Sequence, residues 1–305
     1  TRKESSAASD VYKRQIYLLS IINKMSIITL TTDFGHKDYF VASLKGRILS
    51  ELPDSVIVDI SHEISHYDIT ETAYILQKAY PNFPRGTIHI VGVNALLHRK
   101  YKPMCFFFDG HYFIGADNGF ISLLCDDKLP DEIVEININP EAIDGLSPVK
   151  DIFIPVACHL ARGGVMNLVG NPRTDYLKYN NLNPLYRDDR IIQGNIIYID
   201  HFGNAITNIT KKFFDQHAQN RNFRINLRKE NFTAIEINQI HDHYFDIVTD
   251  FKKEVFVNGR PICLFNSAGS LEITTYNSNP SQFAPANELM GLRKGDNILI
   301  EFIDP

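Results

Sequence analysis

From residue 25 to about residue 178 the chain alternates short apolar runs with helical patterns, and beyond a polar stretch at 179–190 the helical patterns stop. This switch constrains the fold more than any other feature. Strands alternating with helices make a sheet covered by helices, whereas a succession of short strands closes into an antiparallel barrel or sandwich. In the first half, "SIITLTTDFG" reads as a buried strand ending in a polar turn. "YFVASLKGRILSEL" follows, with Val41, Leu44, Ile48 and Leu52 at helical spacing. "SVIVDI" is a second strand. "DITETAYILQKAY" sets Ile69, Ala73, Leu76 and Tyr80 on one helical face and opens on Asp68 and Glu71, a capping-box-like start. "FPRGTIHIVGV" gives a third strand, "KPMCFFFDGHYFIGADNGFISLL" further β structure, and "DIFIPVACHLARGG" a helix stopped by Gly163 and Gly164. A parallel, doubly wound sheet is the expectation.

In the second half, "GNIIYIDHFG", "NFRINL", "FTAIEI", "KEVFVNGRPICLFN", "SLEITTY" and "DNILIEF" all read as strands. The expected fold class is therefore α/β: an α/β domain over 25–178, a linker at 179–190, and a small C-terminal β-barrel or sandwich domain over 191–305. Residues 1–24 look foreign to this pattern. They are polar and aperiodic up to "IYLLSII", and are expected to be an extension or read-through product outside the fold, with Met25 as the native start.

A length of 305 residues with 44% apolar and 22% charged residues suffices for two cores. The net charge of -5 offers no basic footprint for nucleic acid or an anionic membrane. The apolar runs fall far short of the roughly 20 residues that span a bilayer. Cys105, Cys125, Cys158 and Cys263 are scattered with no C-x-x-C pair. That argues against disulfides and a thiolate metal site, and for a reducing cytoplasm.

Four stretches carry candidate chemistry. "HEISH", residues 62–66, spells the H-E-x-x-H of zinc proteases, in which His62 and His66 would hold metal and Glu63 would activate water. That chemistry needs a helix, and these residues fall in the loop between "SVIVDI" and the cap at Asp68, so no metal is expected. "TTDFG" spells the kinase D-F-G, but Asp33 lies too near the domain start for the upstream kinase elements to exist. Asp33 instead ends the first strand, where open α/β sheets bind ligands. A carboxylate there can accept two hydrogen bonds from a ribose diol, or simply make a turn. "YIDHFGNAITNI" offers Asp200, Phe202 and Asn204 within five residues, suited to the charged and apolar parts of an amino acid or to a plain hairpin turn. "FNSAGSLEI" presents Asn266, Ser267 and backbone amides on a glycine-bearing turn.

In this order the stretches resemble the S-adenosyl-L-methionine (SAM) hydroxide adenosyltransferase family, relatives of the bacterial fluorinase and chlorinase. The resemblance runs from about Ser26 to Phe302 through "LTTDFGHKDYFVASLKG", "VDISHEISHYDI", "FPRGTIHIVGVN", "FIGADNGFISLL", "KDIFIPVACHLARGG", "IDHFGNAITNI" and "NSAGSLEI". It implies a Rossmann-like N-terminal domain, a C-terminal β-barrel, and a homotrimer with sites at subunit interfaces. It gives Asp33 to the ribose hydroxyls, Tyr67 to the ribose and sulfonium, and Asp200, Phe202 and Asn204 to methionine. Asn266, Ser267 and Glu272 fall around the adenine and amino-acid groups.

The implied reaction is displacement at the ribose C5′ carbon by hydroxide, releasing adenosine and L-methionine with neither metal nor organic cofactor. The family uses an aspartate, an arginine and a histidine, which match Asn94, Arg99 (or Lys100) and His159. Asn94 replaces the aspartate within a glycine-poor loop shorter than the family's, and Val149 stands where halogenating members carry a halide-binding serine. The alternative expectation is a SAM- or adenosine-binding protein with little turnover, left so by Asn94.

Overall fold

The computed structural model describes residues 26–96, 101–138, 147–179, 183–227 and 235–303. Residues 1–24, Arg99 and Lys100 lie outside them. The chain divides into two compact units at residues 179 and 180.

The first unit holds strands β1 (Ile27–Thr32), β2 (Val56–Ser61), β3 (Ile88–Gly92), β4 (Pro103–Phe108), β5 (His111–Ala116), β6 (Glu132–Ile136) and β7 (Gly170–Pro172). Its helices are α1 (Phe40–Glu51), α2 (Ile69–Ala79), α3 (Phe120–Cys125) and α4 (Ile154–Ala161), the last continuing a π-helical turn at Val149–Phe153. The sheet order is β2-β1-β3-β5-β4-β6-β7. Alternation along the strands divides the core. Ile28, Leu30, Ile88, Ile90 and Ile114 face α1 and α4, while Val91, Phe106 and Phe113 face α2 and α3. Burying apolar side chains on both faces makes the strands the continuous apolar runs seen in the sequence.

The sheet is parallel only through β2, β1, β3 and β5. β4, β6 and β7 pair antiparallel, which corrects the expectation of a parallel sheet throughout. The cause is local. Asp109 and Gly110 both have positive φ, 49° and 83°, so "FFFDGHYF" closes as a two-residue hairpin and leaves no room for a crossover helix. The run after β5 is not strand either. Gly119 turns the chain at φ 102°, and Phe120–Cys125 forms α3. At α2, Asp68 accepts from the amides of Thr70 and Glu71. Glu71 reaches past the cap to the Ser65 amide, so only half of the capping box forms.

The second unit contains β8 (Leu185–Arg187), β9 (Ile191–Ile199), β10 (Ala205–Thr210), α5 (Lys211–Ala218), β11 (Asn222–Leu227), β12 (Ile235–Ile237), β13 (Ile240–His241), β14 (Pro261–Phe265), β15 (Ser270–Thr275), α6 (Ala286–Leu289) and β16 (Asn297–Ile303). The order β12-β11-β16-β9-β10-β15-β14-β13, with β8 also on β9, curls until β12 approaches β14 and nearly closes a barrel. Ile192, Ile196, Ile225, Ile273, Ile300 and Phe302 fill its interior. Helical elements, α6 among them, depart from the all-strand expectation. Thr210 caps α5 by accepting from the Phe213 amide, and α5 buries Phe214 and Ala218. "KEVFV" belongs to a 3₁₀ helix, Phe251–Val257, capped by Asp250. Among the described residues no helix is long and apolar enough to cross a membrane.

Candidate active site

Parallel strands deliver their exits to one edge, so the residues after β1, β2, β3 and β5 converge there. Thr32 pairs with Gly92, which puts Asp33 beside the turn that carries Asn94. Asp33 is half-buried, and its Oδ2 accepts from the Tyr67 amide at 2.9 Å. Tyr67 adopts φ 62°, a strained left-handed backbone that aims this amide at the carboxylate, and its ring is 64% exposed. Asn94 is also left-handed, at φ 46°. The Asn118 side-chain amide braces its turn, donating to the carbonyls of Val93 (3.2 Å) and Asn94 (3.1 Å). Phe34, Tyr39 and Phe40 form an aromatic cluster over the same edge. A Cβ on Gly92 would meet Thr32 and Val149 methyls at 3.0 Å, so Val149 sits over the β1 and β3 exits.

"HEISH" lies in the β2–α2 loop, as its position in the sequence requires. His62 is buried and bonded through Nδ1 to the Thr32 hydroxyl at 2.7 Å. His66 is exposed. Among the described residues no cluster of three His, Cys, Asp or Glu could hold a metal ion.

Within this chain His159 does not join the edge that carries Asp33 and Asn94. The helical run from Val149 starts near Gly92 and returns along the sheet, so its last turn reaches the opposite edge. There Ser26, at the entry of β1, donates to the Ala161 carbonyl at 2.9 Å. Seven residues of extended chain, about 23 Å, separate Ser26 from Asp33. The His159 ring bonds the Val165 carbonyl at 3.1 Å instead. Arg99 and Lys100, the expected basic residues, lie outside the described residues.

In the second unit the β9–β10 turn is tied by its own side chains. Asp200 accepts from the amides of Phe202 and Asn204 and from the Asn204 carboxamide, each at 2.9 Å. Asn204 is buried, and its oxygen accepts from Thr274 on β15. Asp200 keeps lone pairs on Oδ2 for a ligand donor, and the Phe202 ring is 71% exposed.

Glu272, opposite Ile206 on β15, is buried and accepts from Tyr244 and from Asn266. Burial pushes its carboxyl above the usual range against these two bonds, and the nearby Asp200 charge adds to the rise. Burial also raises the Tyr244 phenol, reinforced by its bond to Glu272. Asn266 orders its turn by accepting from the amides of Ala268 and Ser270. Ser267 is exposed at the tip. Sequence reasoning passed over Asn118, Tyr244 and Thr274, although "ADNG" after a strand is a turn signal that marks Asn118.

Two domain models match, the SAM hydroxide adenosyltransferase N-terminal domain over residues 28–170 and its C-terminal domain over 194–299. The (R)-S-adenosyl-L-methionine hydrolase of Methanocaldococcus jannaschii is 29% identical over 269 residues, covering 85% of this chain and 91% of that protein. The Thermus thermophilus protein of the same name is 25% identical, covering 89% and 98%. A fluorinase of Nocardia brasiliensis is 26% identical over 60% of this chain and 71% of its own length. A crystal structure of a conserved Thermotoga maritima protein superposes with a TM-score of 0.74 at 26% identity, covering 90% of this chain and 99% of that one. With both domain models matched in order along one chain, this protein belongs to the SAM hydroxide adenosyltransferase family.

Proposed function

We propose that this protein hydrolyses SAM to adenosine and L-methionine by attack of water on the ribose C5′ carbon. What carries the proposal is the extent of the likeness: both family domains are present, and the chain spans 91% and 98% of two relatives named as hydrolases. The chemistry suits a site rich in positioning groups. A sulfonium leaves as a neutral thioether, so no strong acid is needed, and the task is to align water, C5′ and sulfur. For the same reason the reaction is proposed to need neither metal nor organic cofactor. One proton is released to solvent for each SAM cleaved.

Asp33, held by the Tyr67 amide, takes the ribose hydroxyls. The Tyr67 ring offers a face to the sulfonium. Asn94, on its braced turn, positions the water or a ribose hydroxyl, with Arg99 or Lys100 as the neighbouring cation. Asp200, Phe202 and Asn204 meet the methionine end, with Asn266, Ser267 and Glu272 shaping the adjoining turn. Phe34, Tyr39, Phe40 and Tyr67 on one unit and Phe202 on the other are wholly or partly open. A homotrimer with each site completed between subunits would cover such surfaces. The four cysteines are buried and unpaired, which fits a reducing cytoplasm.

Turnover in heavy-oxygen water tests the chemistry. Label should enter the 5′-hydroxyl of adenosine and not methionine, whereas unlabelled adenosine would rule out attack at C5′. Both sulfonium epimers should be assayed, because the relatives are named for the R form.

A further inference from the structure

The proposed reaction leaves "HEISH" without a role, yet its first histidine is buried against the exit of β1. His62 is 1% exposed. Its Nδ1 lies 2.7 Å from Thr32 Oγ1, and that same oxygen accepts from the Phe34 amide at 3.3 Å. Its main-chain carbonyl accepts from the Gly35 amide at 2.8 Å. His62 therefore grips the exit of β1 on both sides of Asp33, at Thr32 and at Gly35. The same loop returns at Tyr67, whose amide binds the Asp33 carboxylate directly.

The proton on the ring can be placed from its surroundings. Nε2 faces the Asp59 carboxylate at 3.1 Å, off the line of a straight bond. A lone pair there would be repelled, so the hydrogen belongs on Nε2 and Nδ1 is the acceptor. The bonds then run in one direction, from the Phe34 amide to Thr32 Oγ1 and from the Thr32 hydroxyl to Nδ1. Burial keeps the ring neutral by lowering its pKa, and His36 and Lys45 act in the same sense against Asp59. A protonated ring would lose its acceptor and strand the Thr32 hydroxyl hydrogen.

We propose that His62 is a positioning residue for Asp33, holding the β1 exit at Thr32 and Gly35 so that the carboxylate meets a ribose diol. This rests on the ribose-binding reading of Asp33. A histidine that only filled the core would support both units of affinity alike, those that depend on the diol and those that do not. A positioning histidine should matter to the diol alone.

The test is calorimetric titration of the full-length protein with adenosine and with 2′,3′-dideoxyadenosine, which lacks the diol. Wild type should prefer adenosine by about tenfold or more, as expected for hydrogen bonds to a charged group. His62→Ala and Thr32→Val should each collapse that preference to about twofold or less. His62→Asn, whose side-chain oxygen can take the place of Nδ1, should retain most of it. Thr32→Val keeps the volume of the core, so it decides the matter even where His62→Ala fails to fold. Equal weakening of both ligands in the variants, or an undiminished preference in Thr32→Val, would overturn the role of His62 alone. A wild type that binds adenosine no better than the dideoxy compound would overturn the reading of Asp33, and the proposal with it.

Discussion

At Asn94 the proposed chemistry meets its tightest constraint, because a carboxamide cannot take a proton from water. Its left-handed turn and the Asn118 brace fix where the amide sits, so changing the group need not move it. Asn94→Asp should raise kcat by about 100-fold or more, in line with added general-base catalysis, with little change in KM. An unchanged kcat would show that the proton leaves without help from this position. Proton uptake also enters at His89, buried with Nδ1 2.7 Å from Thr29 and Nε2 3.3 Å from His111. Burial, aided by His111, pushes its pKa down to about 3. An unfolded histidine protonates near 6.5, so the stability is present above that value and is lost as pH falls from there toward 3. The loss approaches about 1.4 kcal/mol per pH unit. Urea unfolding at pH 7, 6 and 5 should show a falling midpoint, and a flat profile would contradict it. Individual residues were legible in part. Asp33 stood out because it ends a strand, whereas His159 was placed by motif alone, and a motif does not show that a helix carries its last turn to the far edge.

Among the elements, α2 links the local sequence to the site. Asp68 caps the helix, while the preceding residue supplies the amide that holds Asp33. Asp68→Ala should lower stability by about 1 kcal/mol and weaken SAM binding as well, because the turn at Tyr67 loses its anchor. Thermal unfolding and titration of the same sample would check this, and a stability loss with intact affinity would uncouple cap from site. Helices and strands with strong periodicity, such as α1 with Val41, Leu44 and Ile48 buried, could be read directly. Those that escaped were set by single turn residues. Asp109-Gly110 made a hairpin where a parallel strand was expected, Gly119 started α3, and Thr210 started α5 within what looked like continuous β structure. Apolar runs of four to eight residues do not themselves distinguish strand from short helix, and capping chemistry decides between them.

On the scale of the whole molecule, the change from alternating α and β patterns to strands was visible in the sequence, and two compact units with separate cores stand on either side of it. Each presents part of the proposed site: the Asp33, Tyr67 and Asn94 edge on one, and the Asp200 to Asn204 turn on the other. Activity of the intact protein is the decisive observable. Purified full-length protein incubated with SAM, with and without chelator, should release adenosine and L-methionine in equal amounts at a rate the chelator does not change. SAM that is bound but recovered intact, or release abolished by chelation, would contradict the account.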